Sequence, residues 1–191
     1  MCFGLVSTSG AEDYSILSAE EDWVPRSALS LEQQNALQPY CDGDYVEPSY
    51  GFMDFSSEGI GVLRAESEDA HLDEQDRIQM RGGVQVQQGP WWMEADSVDV
   101  DRNANSAVIS GNIKARVPGM LLRGDSAFYD IETSDFTVDN SSYLLHDRHA
   151  RGEARQIASQ GRQRVTVTDG GFTTCSPFSN DWSVRASEIL L

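Results

Sequence analysis

Lysine is almost missing from this chain. Lys114 is the only one among 14 basic residues, against 31 acidic ones, and the formal net charge is −17. That balance excludes a nucleic-acid binder, which needs a basic face, and a module that docks on an anionic membrane surface. Long apolar runs are missing too. No stretch reaches the roughly 18 residues a membrane-spanning helix requires. Cys2-Phe3-Gly4-Leu5-Val6 is too short for a signal-peptide core and lacks a basic lead. Cysteine is scarce: Cys2, Cys41 and Cys175 form an odd set without metal-ligand spacing. Catalytic signatures are absent. Serine and histidine occur without a nucleophile elbow, and carboxylates are so abundant that no pair of them argues for acid–base chemistry. No enzymatic activity, cofactor or metal is expected.

What the sequence has is a repeat. Glu68-Asp69-Ala70-His71-Leu72-Asp73, Asp96-Ser97-Val98-Asp99-Val100-Asp101 and Asp125-Ser126-Ala127-Phe128-Tyr129-Asp130 share one plan. Each opens on an acid, carries two apolar candidates two apart, and closes on an Asp that reads as a turn. A second pair follows each copy: Ile78 and Met80, Ala107 and Ile109, Phe136 and Val138, with 29 residues from Met80 to Ile109 and again from Ile109 to Val138. Gly82-Gly83-Val84 and Gly111-Asn112-Ile113 then read as a turn into a new strand, blurred to Ser141-Ser142-Tyr143 in the third copy. Such a period marks stacked units, none able to bury its apolar face alone. Within each unit the apolar residues alternate, as in Val84 and Val86, Val98 and Val100, or Ile113 and Ala115. Alternation at period two lines one face of a strand. Two or three short strands per unit are expected, adding to a folded antiparallel sheet with an apolar interior.

The flanks differ from the repeats. Residues 1–12 read as a frayed terminus. Trp23-Val24-Pro25 is expected to be extended. Ser30-Leu31-Glu32-Gln33 is a capping box, predicting a short helix Leu31–Leu37 that stops before Pro39. Residues 40–48 read as turn-rich and irregular, and 49–61 as a linker. Beyond the repeats, strands continue through Arg151–Ile157, a turn at Ser159-Gln160-Gly161, then Val165 and Val167. Another turn is expected at Asp169-Gly170-Gly171, and a last strand runs from Trp182 through Ile189. A strand that stops on apolar Leu191 implies that the natural chain continues. The division is an irregular segment over 1–61 and a β domain over 62–191.

Two stretches carry a family resemblance. Thr173-Thr174-Cys175-Ser176-Pro177 with Asp181-Trp182-Ser183-Val184-Arg185-Ala186 resembles the close of the N-terminal periplasmic domain in the LptD (organic solvent tolerance protein) family of lipopolysaccharide-assembly proteins. Asp22-Trp23-Val24-Pro25-Arg26 and Pro39-Tyr40-Cys41-Asp42-Gly43-Asp44-Tyr45-Val46-Glu47-Pro48 resemble the preceding segment in pseudomonad-like members, and the repeats resemble OstA-type units. The likeness spans nearly all of residues 13–191. It implies a mostly β fold, an open β-jellyroll with a short helical and irregular N-terminal segment. It implies a domain at the periplasmic face of the outer membrane that takes lipopolysaccharide from the bridge protein LptA and passes it to a barrel plugged by LptE. The barrel is missing from this sequence. The likeness also implies that Cys41 and Cys175 form disulfides with partners outside this chain.

A lipid conduit needs an apolar trough, since each acyl methylene left in water costs about 0.8 kcal/mol. Val84, Val86, Val98, Val100, Ile113, Leu122, Ala127, Tyr129, Phe136 and Val138 are the candidate lining. The alternative is that they form the closed core of a carbohydrate-binding or structural β-sandwich. An unpaired sheet edge is expected over Val62–Met80, where Glu66, Glu68, Asp69, Asp73, Glu74 and Asp76 would deter self-pairing and a bridge partner would add a strand. Asp99-Val100-Asp101-Arg102-Asn103 opens like a calcium loop but fails at Ala104 and Ser110, so a turn is expected. His146 and His149 lack a third ligand and read as a surface pair. Of Trp91 and Trp92, one is expected inside and one on the rim.

Overall fold

A computed structural model describes residues 21–37, 41–48, 63–160, 164–174, 176–179 and 181–190. The expectations for residues 1–12, for the 49–61 linker, and for Cys2 and Cys175 lie outside them. Ten strands form one antiparallel sheet: β3 (Leu63–Glu66), β4 (Asp69–Leu72), β5 (Arg77–Gln88), β6 (Trp91–Asp101), β7 (Ser106–Val117), β8 (Met120–Asp130), β9 (Phe136–Leu145), β10 (Ala150–Gln160), β11 (Arg164–Thr173) and β12 (Val184–Leu190). From β5 to β12 each strand pairs with the next in sequence, while β3 and β4 lie end to end along the other edge of β5, β3 against Gln85–Gln88 and β4 against Ile78–Arg81. The sheet is an open jellyroll, with β3 and β4 at one edge and β12 at the other.

The 29-residue period corresponds to two long strands, not to two or three short ones. The Asp closing each repeat caps a hairpin as foreseen. Asp73 Oδ1 accepts from the amides of Gln75 and Arg77, Asp101 Oδ1 from those of Asn103 and Ala104, and Asp130 Oδ1 from those of Glu132 and Thr133. These are side-chain-closed turns of the kind Asp favours.

The glycine pairs do something else. Gly82-Gly83 and Gly111-Asn112 are not turns; both lie inside unbroken strands, β5 and β7, at register shifts. The third copy is not blurred either, because Asn140 takes the same left-handed conformation inside β9, as does Asp169 inside β11. The turn expected at Asp169-Gly170-Gly171 is therefore continuous strand. Left-handed residues within a strand mark bulges, which bend it and increase its twist. They line up across the sheet. Each is braced by a neighbour: Gly82 by Glu68, whose amide donates to its carbonyl, Asn112 by Asp96 at 2.8 Å, Asn140 by Asp125 at 3.0 Å, and Asp169 by Arg155 at 2.8 Å. In the second and third repeats the carboxylate of the opening acid thus has a task, holding the bulge on the next strand, while in the first the Glu68 backbone does so.

Before the sheet lies a small ribbon. β1 (Trp23–Pro25) pairs with β2 (Gly43–Tyr45), so the stretch expected to be irregular includes a strand. Between them the helix α1 spans Leu31–Ala36, with the Ser30 and Gln33 capping box fully formed.

Candidate functional site

The inner face of the sheet is the candidate site. Strand register places one apolar residue after another across it. Ala70 pairs with Met80, then Val98, Ile109, Ala127, Val138, Ile157, Val167 and Ile189, a file that runs from β4 to β12 without a polar residue. A second file lies beyond the line of bulges: Ala65, Val86, Met93, Ala115, Leu122, Tyr143, Gly152, Phe172 and Val184. The two files meet in the same clusters. Val84, Val98 and Ile113 are buried in one, with Val86, Val100, Ala127 and Tyr129 packed on it. Leu122 and Val138 are buried in the other, with Ala127 and Phe136 packed on it. All ten residues singled out in the sequence therefore lie in these two clusters. The lining expected from sequence left out Met80, Ile109, Tyr143, Ile157 and Val167, all named there on their strands, and Met93, which continues the alternation through Ala95.

Polar groups on this wall are few and internally bonded. The Tyr143 hydroxyl donates to the Gly171 carbonyl at 3.2 Å, and burial pushes its pKa up, keeping it neutral. Gly152 makes room for that ring, because a Cβ there would come within 2.6 Å of it. Trp91 stands exposed at the rim and Trp92 is half-buried. Among the described residues no three His, Cys, Asp or Glu side chains gather as a metal site, and no helix is long and apolar enough to cross a membrane.

The outer face holds the ribbon. Leu121 and Leu144, each 1% exposed, pack with Tyr45 and Trp23. The Trp23 and Tyr45 rings meet edge to face at 4.9 Å. Around them sits a dense charge network. Arg116 holds Asp22 through two bonds, at 2.7 and 3.0 Å, and Glu21 at 2.9 Å; Lys114 and Arg123 also grip Glu21. Burial alone would raise the Glu21 and Asp22 pKa values, but these hydrogen bonds, with that from His146 to Asp22, lower both.

Of the surface pair expected from sequence, His149 is exposed as foreseen and only His146 departs from it. His146 is buried, with Nε2 3.0 Å from Asp22, and His149 contacts Asp44. Both grip the ribbon. Cys41 is a half-buried free thiol whose carbonyl accepts from Arg26 at 2.8 Å.

An open β-jellyroll made of 29-residue bulged repeats, apolar along its whole inner face, defines a distinct class of β domain. The family described as "LptA/(LptD N-terminal domain) LPS transport protein" matches residues 64–191. The chain belongs to that family. It is similar to the LPS-assembly protein LptD of Hahella chejuensis, 43% identical across 98% of this chain and 24% of that protein. Against LptD of Pseudomonas putida it is 33% identical, across 98% of this chain and 20% of the relative. It thus spans about a quarter to a fifth of these relatives' length. A solved structure shares the fold: LptH of Pseudomonas aeruginosa, titled the LptA-homologous periplasmic component of the lipopolysaccharide transport device. The TM-score is 0.50 at 18% identity, over 68% of this chain and 94% of that one.

Proposed function

We propose that the inner face is a conduit for the acyl chains of lipopolysaccharide, within the periplasmic part of an outer-membrane translocon. The supporting observation is the file from Ala70 to Ile189, apolar across every strand step of the sheet. A lipid moving along such a wall keeps its methylenes out of water at each step, so no position holds it much more tightly than the next. Net charge points the same way. A chain at −17 does not trap phosphorylated sugars, and transport requires release.

In this reading Val84, Val86, Val98, Val100, Ile113, Leu122, Ala127, Tyr129, Phe136 and Val138 line the path, and residues 62–191 are the functional unit. The bridge protein LptA adds a strand at the β3 and β4 edge, where Glu66, Glu68, Asp69 and Glu74 are exposed and discourage self-association. LptE acts through a barrel that lies outside residues 1–191. Cys41 and Cys175 are the attachment points of disulfides to that remainder, in an oxidising compartment. The domain guides lipid and does no covalent chemistry.

Photo-crosslinking in cells tests the conduit, in chain that carries the barrel. Tyr129 packs into the inner cluster while Phe128, its neighbour, is 45% exposed on the other face. A photoreactive residue at 129 is expected to capture lipopolysaccharide, and one at 128 is not. Equal capture at both, or silence at 129 and at Val98 and Val138 as well, overturns the conduit.

A further inference from the structure

The outer wall carries a second site, which the conduit does not use. We propose that Lys114, Arg116, Leu121, Arg123 and Leu144, with His146 and His149, form a docking surface for an acidic segment bearing aromatic rings. Its occupant is the chain's own ribbon, residues 21–37 and 41–48, and protonation of His146 governs how tightly that segment is held.

The fit is specific in shape and in charge. Leu121 and Leu144 form an apolar floor that Trp23 and Tyr45 cover. Cations ring the floor and meet Glu21 and Asp22. A ribbon of two three-residue strands has too little structure of its own to persist in water. Its hydrogen bonds therefore depend on staying docked.

The histidines sit where docking is decided. His146 faces Asp22 from ahead of β1 and, at longer range, Glu47 from beyond β2. Arg116 of β7 reaches the same Asp22 oxygen, the Gly119 carbonyl accepts from the His146 backbone amide, and Asp147 and Arg148 follow on the same turn. Glu47 also accepts from the Gly119 amide at 3.0 Å, tying the ribbon's far end to the β7–β8 turn. Asp44 of β2 faces His149. Each imidazole thus meets a carboxylate of the ribbon, and that of His146 does so while buried. Burial alone would lower the His146 pKa, but the bond to Asp22 and the backbone and acidic neighbours raise it. A raised value means that the contribution is complete below the ordinary histidine value and is lost as pH rises through the folded one.

Residue-resolved amide exchange on this chain tests the clasp. The reporters are the amides of Val46, which donates to Asp22, and Arg26, which donates to Asp42. Protection, corrected for intrinsic exchange rates, is expected to fall about tenfold between pH 6 and pH 9, as for loss of a charge-assisted hydrogen bond. Amides of the β7–β8 ladder should hold. The fall should vanish in the double variant His146→Gln, His149→Gln. Protection in the natural chain that does not change with pH overturns the proposal, as does a fall that survives in the double variant. Should that variant fail to fold, Asp22→Asn on the ribbon decides. It is expected to show weak protection at pH 6 and little further fall, and protection equal to the natural chain would refute the clasp.

Discussion

Replacing Gly111 by alanine is expected to cost roughly 2–3 kcal/mol. Two contributions add. Gly111 sits at φ +79, a left-handed conformation that costs an L residue about 1–2 kcal/mol. The new Cβ would also lie 2.2 Å from the Asp96 carboxylate oxygen and 2.9 Å from the Asp96 Cβ, so the whole side chain must swing away. That movement breaks the brace to Asn112, worth about 0.5–1 kcal/mol at an exposed site. Gly83 is the control. Its φ is +55, but nothing lies within 4 Å of an added Cβ, so alanine there bears the backbone strain alone, about 1 kcal/mol. Asparagine at 83 should be near neutral, since Asn112 and Asn140 hold φ 47 and 48 at matching bulges. For a domain of this size each kcal/mol moves Tm by about 2–4 °C. Thermal unfolding should therefore show a drop of roughly 5–10 °C for Gly111→Ala and 2–4 °C for Gly83→Ala. Asp96→Ala removes the carboxylate but keeps the Cβ at 2.9 Å, so it should reduce the Gly111→Ala effect without bringing it down to that of Gly83→Ala, a coupling that a double-mutant cycle reads directly. Equal losses at 83 and 111, or strict additivity with Asp96→Ala, would refute the idea that the repeat's leading acid is fitted to the bulge.

Two further outcomes separate the faces of the sheet. Leu121→Ala and Leu122→Ala each delete a buried leucine, at a cost of about 2–5 kcal/mol. Leu121→Ala should loosen the ribbon, read as lost protection at Val46, and leave lipid capture at position 129 intact. Leu122→Ala should lower Tm and change capture while the ribbon stays docked. Acid should also release the ribbon. The folded pKa values of Glu21 and Asp22 are lowered, so their contribution is present above the ordinary values of 4.5 and 3.8 and is lost as pH falls through the folded ones. With His146 acting in the opposite direction from its ordinary 6.5, Trp23 burial followed by fluorescence quenching should be greatest between those ordinary values.

The repeat was legible because its signals are local. Asp73, Asp101 and Asp130 close turns within four residues of themselves, and Ser30 caps its own helix. The bulges were misread for a physical reason. Gly-Gly and Gly-Asn supply positive φ, which hairpin turns and bulges both need. The apolar phase also breaks at both. On β6 the inward residues run Met93, Ala95, then Val98, Val100, and on β11 Val165, Val167, then Gly170, Phe172. A change of phase looks the same whether the chain reverses or merely bends. What separates them is alignment with the neighbouring strands, where Gly82-Gly83 meets the break at Asp96 and Gly111-Asn112 meets that at Asp125. Read as pairs half a period apart, the breaks would have given one bent sheet instead of many short strands.

The histidine clasp lay out of reach of any local pattern. His146 meets Asp22 across 124 positions, and Arg116 meets it across 94. No periodicity links residues so far apart, and in an acidic chain any histidine has carboxylates within easy sequence distance. Burial was the missing fact. His146 follows a β9 strand whose inward and outward positions are both covered, Tyr143 by the inner cluster and Leu144 by the ribbon. Four successive residues, Ser141 to Leu144, are buried, which alternation forbids for a sheet with one wet face. Leu121-Leu122 repeats the pattern on β8. Two adjacent apolar side chains that are both buried, where Val108 and Phe128 in similar runs are exposed, are the trace that something covers the outer wall. On a jellyroll whose inner face is proposed to guide lipid, that trace separates the two faces of the domain: the inner one is lined by two apolar clusters, and the outer one holds the chain's own acidic ribbon.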